Sequence, residues 1–121
     1  MTAAKPLMIL VAGPYRSGTD GDPARIAVNV EAMTAVALDL YRRGHLPVMG
    51  EWFALPLIEQ AQHDGQGGDP FDEIFHPVAE RLLEHCDACL RIGGPSEGAD
   101  RMVATARRLG KAVYHDIEEV P

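Results

Sequence analysis

The sequence predicts a single α/β domain whose sheet is parallel and covered by helices on both faces. Three observations carry that expectation. Short apolar runs without alternation, such as Leu7–Ala12, end in glycine and proline and suit strands buried on both sides. Segments with apolar residues three and four apart lie between these runs and read as helices. The runs that open the first and third units flow into Gly-rich loops that lead into helices.

The elements follow in order. Leu7–Ala12 is the first strand and Gly13–Gly21 a polar loop. Asp22-Pro23 reads as an N-cap followed by proline at the first helical position. This helix carries Ile26, Val30, Met33, Ala37 and Leu40 on one face. It closes on Arg42-Arg43-Gly44, with cations at the negative end of the dipole and glycine at the C-cap. His45–Met49 is the second strand. Gly50–Phe53 reads as an irregular stretch and Ala54–Gln62 as a helix. His63–Pro70 is glycine-rich and polar, cannot form a core, and reads as a mobile loop. Phe71–His85 places Phe71, Ile74, Phe75, Val78, Leu82 and Leu83 at helical spacing. Asp87–Ile92 is the third strand, Gly93–Gly98 a second Gly-rich loop, and Ala99–Leu109 a helix with Gly110 as its C-cap. Lys111–His115 is the last strand. Strands alternating with helices imply right-handed crossovers and a parallel sheet of four to five strands.

A chain of 121 residues fits one domain, residues 1–121, with one core. Its 46 % hydrophobic and 24 % charged content is that of a globular protein. The net charge of -7 argues against a nucleic-acid polymer as partner, because a phosphate backbone needs a basic surface. A single nucleotide needs only a local pocket. No apolar run reaches the roughly 18–20 residues that span a bilayer, and Leu7–Ala12 is too short for a signal-peptide core. No membrane partner is expected, and the expected location is cytoplasmic. Cys86 and Cys89 have redox spacing, but a redox pair gains its reactivity at a helix start after a strand. Here the pair falls where a helix enters a strand. With His76 and His85 the two thiols do not form a zinc set. No cofactor and no metal are expected.

In open α/β sheets, ligands bind outside the carboxyl ends of the strands, where the strand order reverses. With the first strand central, that point lies between strands one and three. Both Gly-rich loops converge there, Gly13-Pro14-Tyr15-Arg16 from one side and Gly93-Gly94-Pro95-Ser96-Glu97-Gly98 from the other. Backbone N–H groups in such loops can approach an anion. Arg16 either grips a phosphate or stays solvated. Tyr15 either lines the pocket or covers core. Ser96 either donates to a phosphate or caps its helix. Trp52 and Phe53, after the second strand, either stack on a base or cover core, and Glu51 can reach the pocket from the same place. Asp87 stands at the start of the third strand, as a site carboxylate or as a turn residue.

The strand running into Gly13-Pro14-Tyr15-Arg16-Ser17-Gly18 resembles the first motif of the nucleoside 2-deoxyribosyltransferase superfamily, which includes the 2-deoxynucleoside 5-phosphate N-hydrolases and many small relatives. Cys86-Asp87-Ala88-Cys89-Leu90 resembles its aspartate-then-strand motif. Ser96-x-Gly98-Ala99, with Ala106 and Leu109-Gly110-Lys111, resembles its third motif. The resemblance covers nearly the whole chain in motif order. It implies a flavodoxin-like sheet and a homodimer or higher homo-oligomer. It implies cleavage or transfer of an N-glycosidic bond through a glutamate nucleophile. It places substrate positioning on Asp87, and phosphate or sugar contacts on Gly13, Tyr15, Arg16, Ser96 and Gly98. Six residues past Ser96, where the family has that glutamate, stands Met102, which has no carboxylate. Met102 also fits an apolar face with Ala99, Val103, Ala106 and Leu109. The expectation is a nucleotide- or nucleoside-binding protein without the standard nucleophile. One alternative is an N-glycosidase or deoxyribosyltransferase that uses a relocated carboxylate, Asp100, Glu97 or Glu51. Another is a structural or protein-binding domain.

Overall fold

A computed structural model describes residues 5–65 and 69–121. Its strands are β1 (Met8–Ala12), β2 (Leu46–Val48), β3 (Ala88–Arg91) and β4 (Ala112–Tyr114). The helices are α1 (Pro23–Arg42), α2 (Gly50–His63), α3 (Pro70–Glu84) and α4 (Glu97–Arg108), and a 3-10 turn at Ile117–Glu119 follows β4. Every strand pair is parallel, in the order β2-β1-β3-β4. The fold is the expected flavodoxin-like α/β sheet, with four strands.

Alternate residues of β1 serve opposite faces. Leu10 and Ala12 pack with Ala79, Leu83, Met102 and Ala106 of α3 and α4. Ile9 and Val11 pack with Met33, Ala37 and Leu40 of α1, and with Val120 after the 3-10 turn. A strand buried on both sides needs apolar residues at every position, which is why Leu7–Ala12 shows no alternation. The chain leaves β1 toward β2 on one side and returns through α2 and α3 to β3 on the other. The strand order therefore reverses between β1 and β3, at the predicted place.

The amino ends of the strands are tied to the C-terminal segment. His45 is buried, its Nδ1 accepting from the Leu7 N–H at 3.1 Å and its Nε2 lying 2.8 Å from the Pro121 carbonyl oxygen. Arg43 donates to the Ile117 carbonyl at 3.2 Å and pairs with Glu118 at 2.9 Å.

Three expected boundaries are corrected. The stretch Gly50–Phe53 is the first turn of α2 and is not irregular. Gly50 makes that possible, because a Cβ there would lie 3.0 Å from the Ala79 Cβ of α3. Helix α4 begins at Glu97, two residues earlier than expected, with Ser96 as N-cap. The loop expected over 63–70 is shorter. His63 ends α2, Asp69 caps α3 by accepting from the Phe71 N–H at 3.0 Å, and Pro70 opens α3. Residues 66–68 of that expected loop lie outside the described residues. No helix among the described residues is long and apolar enough to cross a membrane.

Candidate ligand-binding site

A cavity of about 250 Å³ opens at the carboxyl end of β1. Its walls come from the β1–α1 loop, the first turn of α2, one face of α3 and the start of α4. A typical pocket for a drug-sized ligand measures roughly 300–1,000 Å³, so this one suits a small occupant.

The β1–α1 loop is held in shape by its own polar groups. The buried Thr19 donates its hydroxyl to the Arg16 carbonyl at 2.6 Å. Asn29, on α1, donates its amide to the Tyr15 carbonyl at 2.9 Å. Gly13 has no room for a side chain, since a Cβ would meet Ile92 Cγ1 at 3.0 Å and Met33 Cγ at 3.2 Å. The loop thus turns sharply off β1 and delivers Tyr15 and Arg16 to the cavity.

Three rings form one wall. Phe71 and Phe75 stack with centroids 4.8 Å apart, and Tyr15 lies 5.7 Å from each. Such offset stacking fixes flat apolar surfaces at little entropy cost. The Arg16 guanidinium sits 3.7 Å above the Phe71 ring, a cation–π contact that places a positive charge at the cavity edge.

The start of α4 forms another part of the lining. Ser96 caps the helix, its Oγ accepting from the Ala99 N–H at 3.1 Å. The N–H groups of Glu97 and Gly98 have no acceptor within the helix and carry the positive end of its dipole. Gly98 also lets His76 come close, as a Cβ there would stand 3.2 Å from the His76 Cε1. The His76 Nδ1 is buried without a hydrogen-bond partner among the described residues. Burial, and then the charge of Arg101, hold the His76 imidazole below its ordinary range, against Glu80 and Asp72.

Glu51 also lines the cavity, from the first turn of α2, and is 5 % exposed. Burial pushes its carboxyl up to about 7, and a hydrogen bond with its own backbone opposes this only in part. Burial likewise raises the Tyr15 phenol, with Arg16 opposing.

The structure brings together Gly13, Tyr15, Arg16, Glu51, Ser96 and Gly98 of the expected site residues, with Met102 in the wall beside them. Met102 faces the cavity and the core cluster at once. Pro14 and Gly93 brace each other behind the site, and a Cβ on Gly93 (φ +78°) would lie 2.7 Å from the Pro14 Cδ. Gly94 is exposed, with its carbonyl accepting from Arg91 Nη2 at 2.7 Å. Trp52 and Phe53 are 45 % and 47 % exposed and lie outside the cavity.

Two expected carboxylates fall elsewhere. Asp87 sits at the amino end of β3, the far end of the sheet from the cavity, and accepts from the Met8 N–H at 2.8 Å. Asp100 pairs with Arg91, Nε to Oδ1 at 3.1 Å, outside the cavity lining. Arg91 also donates to the Ile92 carbonyl, so it staples the β3–α4 loop. Sequence reasoning missed Phe71, Phe75 and His76 as site residues, and Asn29 and Arg91 as supports of the β1–α1 and β3–α4 loops. The spacing Phe71-x-x-x-Phe75-x-x-x-Ala79 marks one helix face, but not whether that face meets a core or a cavity.

Compared with known proteins, the chain matches no family model, and no curated protein matches its sequence.

Proposed function

We propose that this chain binds a nucleoside or nucleotide, in the manner of a nucleoside 2-deoxyribosyltransferase relative without the standard nucleophile. One observation carries the reading. A stacked aromatic wall, Tyr15, Phe71 and Phe75, lines one small cavity together with two anion-attracting features, the Arg16 guanidinium over the Phe71 ring and the start of α4. A base is flat and polarisable and suits the rings. A 5-phosphate or a sugar hydroxyl suits the N–H groups of Glu97 and Gly98. Met102 supplies no carboxylate at the position where the resemblance calls for one.

The alternative, an N-glycosidase using a relocated carboxylate, rests on a separate observation. Of Asp100, Glu97 and Glu51, only Glu51 is a buried carboxyl in the cavity wall. Asp100 is occupied by Arg91, and Glu97 is exposed.

Proton NMR of the full chain with a mixture of nucleosides and their 5-phosphates separates these readings. Binding alone gives saturation transfer to ligand and no free base over hours, and Phe71→Ala weakens the transfer. Free base that disappears in Glu51→Gln selects the glycosidase. No transfer at millimolar ligand overturns both.

A further inference from the structure

Glu51 occupies a place where an ionised carboxylate is poorly tolerated. Glu51 is 5 % exposed and lines the same cavity as the aromatic stack and the start of α4. No ion pair joins it to another described residue. The charged and titratable groups that share the cavity with it come from three elements. The β1–α1 loop supplies Tyr15 and Arg16, α3 supplies His76, and α4 supplies Glu97, while β1 adds only Leu10, Val11 and Ala12. The Arg16 guanidinium is spread over Phe71 and makes no ion pair with Glu51. His76 is held toward its neutral form. Glu97 adds negative charge from the exposed rim. A hydrogen bond with its own backbone favours the carboxylate, but burial outweighs it and no side chain of the wall adds an ion pair, so the carboxyl faces the occupant as a group whose neutral form is favoured.

We propose that Glu51 meets its ligand as a neutral carboxylic acid and donates a hydrogen bond to an acceptor atom of the bound nucleoside or nucleotide, so that ligand capture is coupled to protonation of Glu51. The inference rests on the ligand reading above and deepens it, because it makes Glu51 a specificity-determining residue. A protonated carboxyl offers one O–H donor. It selects a ligand that presents a lone pair, such as a ring nitrogen or carbonyl oxygen of a base, at that depth. It also explains how one small cavity can hold both a carboxyl group and an anion-attracting helix start, since the neutral acid does not repel a phosphate.

The test is calorimetric titration of the full chain with each of the four common 2-deoxynucleosides, from about pH 6 to about pH 8.5. These probes carry no phosphate to titrate in that range. In the wild type, affinity falls about tenfold per pH unit above about 7, the slope for one coupled proton. Titrations at about pH 8 in buffers of different ionisation heat report about one proton taken up per ligand bound. Glu51→Gln keeps an N–H donor and cannot ionise, so its affinity does not change with pH. Nucleoside binding that is flat with pH in the wild type, or that takes up no proton, overturns the inference and leaves the ligand reading standing. Absence of binding by every nucleoside at both ends of the range overturns the inference, and absence of binding by their 5-phosphates as well removes the ligand reading with it. The proton count needs no variant, so it decides the matter even if Glu51→Gln folds poorly.

Discussion

Asp87 and Met8 are joined twice, the Asp87 carboxylate accepting from the Met8 N–H at 2.8 Å and the Asp87 N–H donating to the Met8 carbonyl at 2.8 Å. The pair fastens β3 to β1 at their amino ends. Parallel strands have no hairpin to set their register, and this double contact sets it one residue ahead of the Ile9–Ala88 pairing. The resemblance places substrate positioning on Asp87, but the geometry gives it a strand-pairing task. Asp87→Ala should cost about 1–2 kcal/mol, the worth of a hydrogen bond to a charged group near solvent. Nucleoside affinity should stay at the wild-type value. Urea unfolding reads the first and calorimetry the second. A folded Asp87→Ala protein that no longer binds nucleoside would return Asp87 to the site.

Glu51 also makes stability depend on pH. Its carboxyl is raised from 4.5 to about 7 by burial, so the folded chain holds a proton that the unfolded chain releases. Between those values the unfolded state binds fewer protons, and stability falls as pH rises. The contribution is whole below about 4.5 and is lost by about 7. At 1.36 kcal/mol per unit, the loss is about 3 kcal/mol. Glu51→Gln should flatten this part of the profile and unfold at higher denaturant than the wild type at about pH 8. Denaturation midpoints for both chains between about pH 5 and pH 8 test it. A wild-type profile that rises over this interval, after other titrating groups are cancelled by comparison with Glu51→Gln, contradicts the assignment.

The layered fold could be read from single segments, because each strand and helix signal is local. Leu7–Ala12 announces a strand covered on both sides, and Asp22-Pro23 announces a helix start, without reference to any other part of the chain. The site was legible only where it sits on the same local signals, as with Gly13, Tyr15, Arg16, Ser96 and Gly98. Its remaining parts depend on contacts that no local pattern encodes. Phe71 and Phe75 read as a core face because helical spacing does not say what the face meets. Trp52 reads as stacking on a base or covering core, with α2 expected to start at Ala54. With the start at Gly50, the first turn carries Glu51 inward and leaves Trp52 exposed. Asp100 was a free carboxylate in the sequence, and only the fold brings the Arg91 guanidinium to it.

Cys86 and Cys89 should behave as inert core thiols. Both are buried, and burial pushes them up to about 11 and about 12. At about pH 8 the reactive thiolate is then no more than about a thousandth of Cys86, and less of Cys89. Neither should react with an aromatic disulfide reagent in the folded chain, and both should react fully in denaturant. Zinc should not raise the thermal midpoint, as no cluster of metal-ligating side chains occurs among the described residues. Fast labelling of either thiol in the folded state would restore a redox reading of the pair.

Asn29 is the support whose removal should separate binding from stability. Its amide donates to the Tyr15 carbonyl at 2.9 Å and reaches the Ser17 carbonyl at 3.4 Å, so one α1 side chain holds the loop that carries Tyr15 and Arg16. Asn29→Ala leaves both carbonyls without this donor, but the loop is partly open to water, so the stability cost should be only about 1 kcal/mol. Binding must then order the loop as well as the ligand. At about 0.5–1.5 kcal/mol for each side chain immobilised, fixing Tyr15 and Arg16 again should weaken nucleoside affinity about tenfold. Asn29→Asp should be worse than Asn29→Ala, because a carboxylate has no donor for these carbonyls and faces their oxygens directly. Calorimetry on the three chains, with amide line widths across Gly13–Gly21, reads both effects. Equal affinity in all three would mean that the loop reaches its binding shape without Asn29, and that Tyr15 and Arg16 are held by the Phe71 stack alone.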